Sequence, residues 1–427
     1  MHFPVYGSCQ ACSASAQCAA KGAVPVSEQR EQQHAALVLA DGRIFTGRRF
    51  GAAPESVEAW CRMLEDGSAQ SRLSDIGEVV FNTAMSGYPE VFTDPSYTGQ
   101  IVAMTYPHLG NYGVDPEWSE RGPGDERPRP VMVAGVVCRS LYRGPVRAGR
   151  QTLDDYLAGH GIPGIEGVDT RALTLHLRRG GVQNGVICAA APEGEYAALV
   201  TALSRFPAME GRGLIDEVGA GASLTLEALE PAPRETRGPH LVLYDCGAKA
   251  NIIREFRRLG CRISVLPSTA SAAELRDTGA DALLLSNGPG DPAVLQHQVA
   301  QTRELVGAMP LLGICLGHQI IAEAVGGTTA KMRFGHHGIN HPVRDELTRR
   351  VFVTSQNHGF TVEEDSLPAG VDIWFRNAND GSIEGLRDER RRIRTTQFHP
   401  EAAPGPVDSR WIFSAFLEAI PGYGGEG

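Results

Sequence analysis

The residues with the clearest capacity for chemistry are Cys315, His399 and Glu401. Cys315 breaks the apolar run Pro310-Leu311-Leu312-Gly313-Ile314 and is followed by Leu316-Gly317-His318-Gln319, a pattern that reads as strand, sharp turn and helix. A side chain on such a turn projects into open space, and the small glycines beside it relieve the crowding. A thiol there also sits at a helix N-terminus, where free amides and the helix dipole favour the thiolate, the nucleophilic form. An arbitrary cysteine is more often a small buried hydrophobe, so this reading needs a base elsewhere in the chain. Ile393-Arg394-Thr395-Thr396-Gln397-Phe398 reads as a strand whose end presents His399-Pro400-Glu401. Residues two apart on an extended backbone share a side, which sets the Glu401 carboxylate to hold the His399 ring. Nucleophile, base and orienting group are the parts of covalent acyl transfer.

A third segment, Ser286-Asn287-Gly288-Pro289-Gly290-Asp291-Pro292, also follows a predicted strand. Its glycines let backbone amides approach a ligand closely, so it is a source of an oxyanion donor beside the amide of Leu316. It matches neither dinucleotide nor Walker patterns, and no nucleotide site is expected. His336, His337, His341 and His358 lack zinc-ligand spacing and read as loop and core residues. Cys9-Gln10-Ala11-Cys12 has the spacing of half a zinc site, but no second pair follows nearby. No metal is expected in this chain.

The elements that must position these residues alternate. Strands at Leu241–Tyr244, Arg262–Leu266, Ala282–Leu285 and Leu311–Ile314 are separated by helical stretches, one opened by a Ser271/Glu274 capping box. This rhythm implies a mainly parallel sheet covered on both faces, with ligands at the carboxyl ends of its strands. Asn379-Asp380-Gly381 adds hairpin strands at an edge. The earlier half is β-rich. Ala35–Leu39 and Ile44-Phe45 flank the turn Asp41-Gly42, Glu78–Thr83 and Ile101–Met104 read as buried strands, and Val131–Val137 as another. Asp169 is a cap candidate for a helix ending at Gly180, 54–75, mostly polar or helical in pattern, reads as a surface excursion, and 192–229 as loosely helical. The expected division is a flexible tail over 1–34, an α/β domain rich in strands over 35–230, a proline-rich linker over 231–239 and a second α/β domain over 240–427.

With 427 residues, two or three domains are the natural expectation. A formal charge of -10 gives no electrostatic case for a nucleic-acid partner, and no apolar run is long enough to span a membrane. Nine cysteines at irregular spacing suggest reduced thiols in a cytoplasmic protein. The start lacks the basic and apolar regions of a signal peptide.

Gly313-Ile314-Cys315-Leu316-Gly317-His318-Gln319 with His399-Pro400-Glu401 resembles the class I glutamine amidotransferase family, which hydrolyses the glutamine side-chain amide to ammonia. From about Ala35 onward the chain resembles, more narrowly, the small, glutaminase subunits of carbamoyl-phosphate synthetase. The specific marks are Asp94–Val102, Thr105-Tyr106-Pro107-His108, Asp169-Thr170-Arg171, Phe334–Gly338 and Ser355–Phe360. The resemblance implies a flavodoxin-like second domain, Cys315 as nucleophile, His399 as base and Glu401 as its orienter. It implies glutamine held by Ser96 from the first domain and by Gly288, Gly290, Leu316, Gln319, Asn357, Gly359 and Phe360 from the second. It further implies a separate large subunit that uses ATP, bicarbonate and Mg, in a heterodimer or a larger assembly of such pairs. Ammonia would reach that subunit through a tunnel, for carbamoyl phosphate synthesis in the arginine and pyrimidine routes. No cofactor is expected in this chain itself. Two other readings remain: a free-standing cysteine hydrolase of γ-glutamyl substrates, and a silent regulatory subunit.

Overall fold

The computed structural model describes residues 34–68, 76–124, 130–219, 223–227 and 238–423. Seven strands of the first half close into a barrel, in the order His34–Leu39, Ile44–Gly51, Pro163–Glu166, Gly135–Val137, Gln100–Met104, Ile76–Asn82 and Gln183–Ala189. The expected hairpin starts it, with Leu37 opposite Phe45. Closure leaves no free edge in this sheet, and alternate strand residues such as Val79, Ile101 and Ile187 fill an apolar cluster.

The second sheet has ten strands, in the order Leu224–Leu226, Arg262–Pro267, His240–Asp245, Ala282–Leu285, Leu311–Ile314, Ile393–Thr396, Ile383–Asp388, Asp372–Asn377, Thr329–Asp345 and Val351–Val362. Five of them, Arg262–Pro267 to Ile393–Thr396, are mutually parallel. Taken by chain order these five run 2-1-3-4-5, the flavodoxin-like arrangement. Strands such as Ala282–Leu285 and Leu311–Ile314 are buried throughout, as continuous apolar runs between two helical layers must be. The capping box at Ser271 and Glu274 forms as expected. Among the described residues, no helix is long and apolar enough to cross a membrane.

Four local readings differ from the structure. Residues 54–68 are not mere surface: helix Val57–Glu65, capped by Ser56, buries Trp60 in a cluster with Tyr196, Leu199 and Leu203. Residues 69–75 lie outside the described residues. Only Gly135–Val137 of the run 131–137 pairs as a strand. Residues 192–229 hold the expected helix, Tyr196–Leu203, but also a strand, Leu224–Leu226, antiparallel to Arg262–Pro267 at the edge of the second sheet. Alternating Leu224, Thr225 and Leu226 fit an edge strand better than a helix turn. The histidines read as loop and core residues lie on the long strands Thr329–Asp345 and Val351–Val362 rather than in loops, with His336, His337 and His358 buried as core residues are. The expected tail, apart from His34, and most of the linker lie outside the described residues, and so do Cys9 and Cys12. The six described cysteines are free thiols.

Candidate active site

The turn at Cys315 is strained as its sequence suggests. Cys315 has φ 54° and ψ −106°, a conformation an L-residue adopts at a cost, and it caps helix Leu316–Ala324. The flanking glycines are sterically required. A Cβ at Gly313 would lie 2.7 Å from the Gly317 carbonyl oxygen, and one at Gly317 would lie 2.3 Å from that of Leu285. Gly317→Ala should therefore force the helix off the strand and destabilise the protein by about 2 kcal/mol. A melting temperature within a degree of the parent would refute that packing. Leu316 is the first helical residue, so its amide has no intrahelical acceptor.

His399 and Glu401 are brought to this thiol. The His399 amide donates to the Ser355 carbonyl at 2.9 Å, and its Nδ1 lies 2.6 Å from Glu401 Oε1. The pairing matches the expectation, but its cause does not: the chain turns at Pro400 and Glu401 rather than continuing extended. Burial opposes charge on the ring, yet the Glu401 carboxylate and then the Cys315 sulfur outweigh it and push His399 up to about 10. Nε2 makes no hydrogen bond of ordinary geometry among the described residues, so the thiol is near without being locked to the ring. Such contacts often tighten only when substrate arrives.

A residue that sequence reasoning missed completes the arrangement. Lys249, the N-cap of helix Ala250–Arg258, places Nζ 3.1 Å from Glu401 Oε1 and donates to the Ala402 carbonyl at 2.9 Å. Both side chains are fully buried. Burial works against ionisation of Glu401, but Lys249 and His399 prevail and hold it down at about 2. The carboxylate is thus charged at any physiological pH. Glu401→Gln removes the charge that overcomes the burial of His399. Its protonation midpoint, followed by ring carbon NMR, should fall by several units from about 10. A midpoint still near 10 would contradict this electrostatic account. The sign is fixed by linkage: a folded-state pKa above the ordinary 6.5 gives stability that is fully present below about 6.5 and lost as pH rises through about 10.

The Cys315 sulfur opens onto a cavity between the two halves of the chain. Its walls include Ser96, Gly288, Gly290, Gln319, Asn357, Gly359 and Phe360, seven of the eight residues named for glutamine. Leu316 is not among the lining residues. The thiol points at the Asn357 carbonyl, 3.6 Å away, and Gln397 Nε2 lies 3.7 Å from the sulfur. Gln319 donates to the Phe360 carbonyl at 3.0 Å. Ser96 Oγ accepts from Asn287 Nδ2 at 3.1 Å, which ties the barrel to the Ser286–Pro292 segment. Gly288 is pressed against the neighbouring chain, where a Cβ would meet the Cys246 carbonyl at 2.2 Å. Sequence reasoning missed Gln100, Met209 and Lys331, which also line the cavity. Lys331 pairs with Glu78 of the barrel at 2.8 Å and lies over the Phe360 ring. Two buried polar atoms at the cavity lack partners among the described residues, the acceptor Gln100 Oε1 and the donor Asn357 Nδ2.

Comparison with known proteins gives a consistent picture. Residues 242–419 match the family described as glutamine amidotransferase class-I, and residues 37–187 match that described as carbamoyl-phosphate synthase small chain, CPSase domain. The carbamoyl phosphate synthase small chain of Solidesulfovibrio magneticus is 44% identical over 396 residues, covering 90% of this chain and 98% of that one. The protein of the same name from Nitratidesulfovibrio vulgaris is 42% identical over 391 residues, with 89% and 96% covered. That from Methanopyrus kandleri is 41% identical over 388 residues, with 90% and 98% covered.

Proposed function

The chain belongs to the carbamoyl phosphate synthase small chain family and carries a class I glutamine amidotransferase domain, and from that premise we propose that it hydrolyses L-glutamine through Cys315, His399 and Glu401 for a large, ATP-dependent subunit. One observation carries the reading: a reactive-turn thiol faces a cavity walled by both halves of the chain, beside a histidine held by a buried carboxylate. The unpaired donor Asn357 Nδ2 and acceptor Gln100 Oε1 suit an amino acid that presents both a carboxylate and an ammonium group.

The chemistry follows from the groups present. The Cys315 thiolate attacks the side-chain amide carbon of glutamine. The amide of Leu316, with one from the Gly288 segment, stabilises the oxyanion of the tetrahedral intermediate. His399, resting protonated beside Glu401, gives its proton to the departing ammonia and leaves a thioester on Cys315. It then takes a proton from water, whose hydroxide oxygen attacks the thioester and releases glutamate. This chain needs no cofactor for these steps. ATP, bicarbonate and Mg act on the partner, which converts the ammonia to carbamoyl phosphate for arginine and pyrimidine synthesis in the cytoplasm.

The test is co-purification with the large subunit of the same organism, followed by carbamoyl phosphate assays with glutamine or ammonia as nitrogen donor. The reading expects a stable complex active with both donors, and the large subunit alone active only with ammonia. Glutamine hydrolysis whose rate ignores the partner would instead favour a free-standing hydrolase.

A further inference from the structure

Three strands of the second sheet bring His336, His358 and Glu384 together beside the cavity, all buried. Their hydrogen-bond partners fix the protons. His358 Nδ1 lies 2.8 Å from the Phe360 carbonyl oxygen, which can only accept, so this nitrogen carries hydrogen. His336 Nε2 lies 2.8 Å from the Asp380 carboxylate and carries hydrogen for the same reason. The remaining nitrogens, His336 Nδ1 and His358 Nε2, face each other at 3.2 Å. Glu384 Oε1 lies 3.3 Å from the first and 4.0 Å from the second. Gln356 Oε1 is a further acceptor, 2.8 Å from His358 Nε2. Lone pairs therefore converge on one buried point. The Asn377 amide reaches Glu384 Oε1 at 2.9 Å but stays 3.4 Å from His336 Nδ1, and Glu384 Oε2 has no partner among the described residues.

Such a point requires a cation. One proton on His336 is the minimal solution: burial resists it, but Asp380 and Glu384 push the ring up to about 9. That proton serves only one direction, leaving Gln356 Oε1 against His358 Nε2 and Glu384 Oε2 unpaired. A metal ion serves His336 Nδ1, His358 Nε2 and Glu384 Oε1 together. A triangle with these three separations has a centre roughly 2.1 Å from each corner, the length of a zinc bond to imidazole or carboxylate. The outer contacts also have the form seen around bound metals, each imidazole donating its second nitrogen to a carboxylate or carbonyl.

We propose that His336, His358 and Glu384, with Gln356 Oε1 as a fourth donor, form a site for a divalent transition ion of the zinc class. Its donors all come from the protein, which marks it as structural rather than catalytic. It pins the strand segment Gln356–Phe360, whose Asn357 carbonyl accepts from the Cys315 thiol and whose Phe360 carbonyl accepts from Gln319. The site thereby stiffens one wall of the cavity, whatever the substrate, and stands independently of the proposed function.

The experiment uses the full chain without a polyhistidine tag, equilibrated with zinc chloride, gel-filtered and analysed for metal. The wild type should retain about one zinc per chain and Glu384→Gln roughly a tenth of that. Substituted with cobalt(II), the wild type should absorb in the visible without a sulfur-to-metal charge-transfer band, because every donor is nitrogen or oxygen. The cobalt spectrum decides even if the variant fails to fold. Retention below about a tenth of an equivalent, equal zinc in both proteins, or a thiolate band placing the ion on cysteines would each overturn the proposal.

Discussion

Replacing Cys315 by serine is expected to cut glutamine-dependent carbamoyl phosphate synthesis by on the order of 10³-fold or more while leaving ammonia-dependent synthesis by the complex intact. The change is small in shape. Cys315 is 3% exposed, and the polar neighbours of its sulfur stand 3.6 and 3.7 Å away, so a hydroxyl fits without disturbing the turn. What changes is nucleophilicity: a hydroxyl opposite an already protonated His399 has no base ready to take its proton. Loss of both activities would mean that the site shapes the whole complex. Full glutamine activity in Cys315→Ser would end the mechanism proposed above.

Lys249→Met should have the second largest effect, because it removes a cation from among buried acids. Lys249 lies against Glu401, and its charge also acts on Asp94 and Glu120, which belong to the barrel half. Burial disfavours the ammonium, but these carboxylates more than compensate and raise its pKa. Burial already pushes Glu120 and Glu90 upward. Without the lysine, Glu401 is a buried charge short of one partner, a defect that costs roughly 3–5 kcal/mol or forces a proton onto the carboxylate. A protonated Glu401 no longer sustains the His399 imidazolium, so glutaminase turnover should fall by on the order of 10²-fold. Methionine preserves the length and apolar stem, which separates charge from packing. Unchanged melting and turnover in Lys249→Met would show that Glu401 is held by other means.

How much of this was legible in the sequence depended on whether the signal was local. The Cys315 turn announces itself within seven residues, because only glycine fits against Gly317 O and Leu285 O. The parallel strands were readable as apolar runs with capped helices between them. His399 and Glu401 were correctly paired for an incorrect reason, since a tight turn and an extended backbone can both bring residues two apart together. Lys249 had no local mark. A lone lysine before a helix reads as surface, and its partner lies 152 residues on. Closure of the barrel was equally hidden, because it depends on Gly135–Val137, a strand too short to show a period. The meeting of His336, His358 and Glu384 follows from strand register rather than spacing: His336 stands opposite His358, and Glu384 arrives on a third strand. The recognisable motifs Phe334–Gly338 and Ser355–Phe360 gave those residues a family but not a partner.

The central claim is that nitrogen released at Cys315 is delivered to a partner rather than to solvent. It is tested most directly by supplying the assembled complex with glutamine labelled with nitrogen-15 in its side-chain amide, together with excess unlabelled ammonia. Mass spectrometry of the carbamoyl phosphate formed, trapped as a stable derivative, then reads the source of its nitrogen. The account predicts label retained well above the isotopic content of the free ammonia pool, and unlabelled product alone from Cys315→Ser. Product that simply matches the free pool would contradict it.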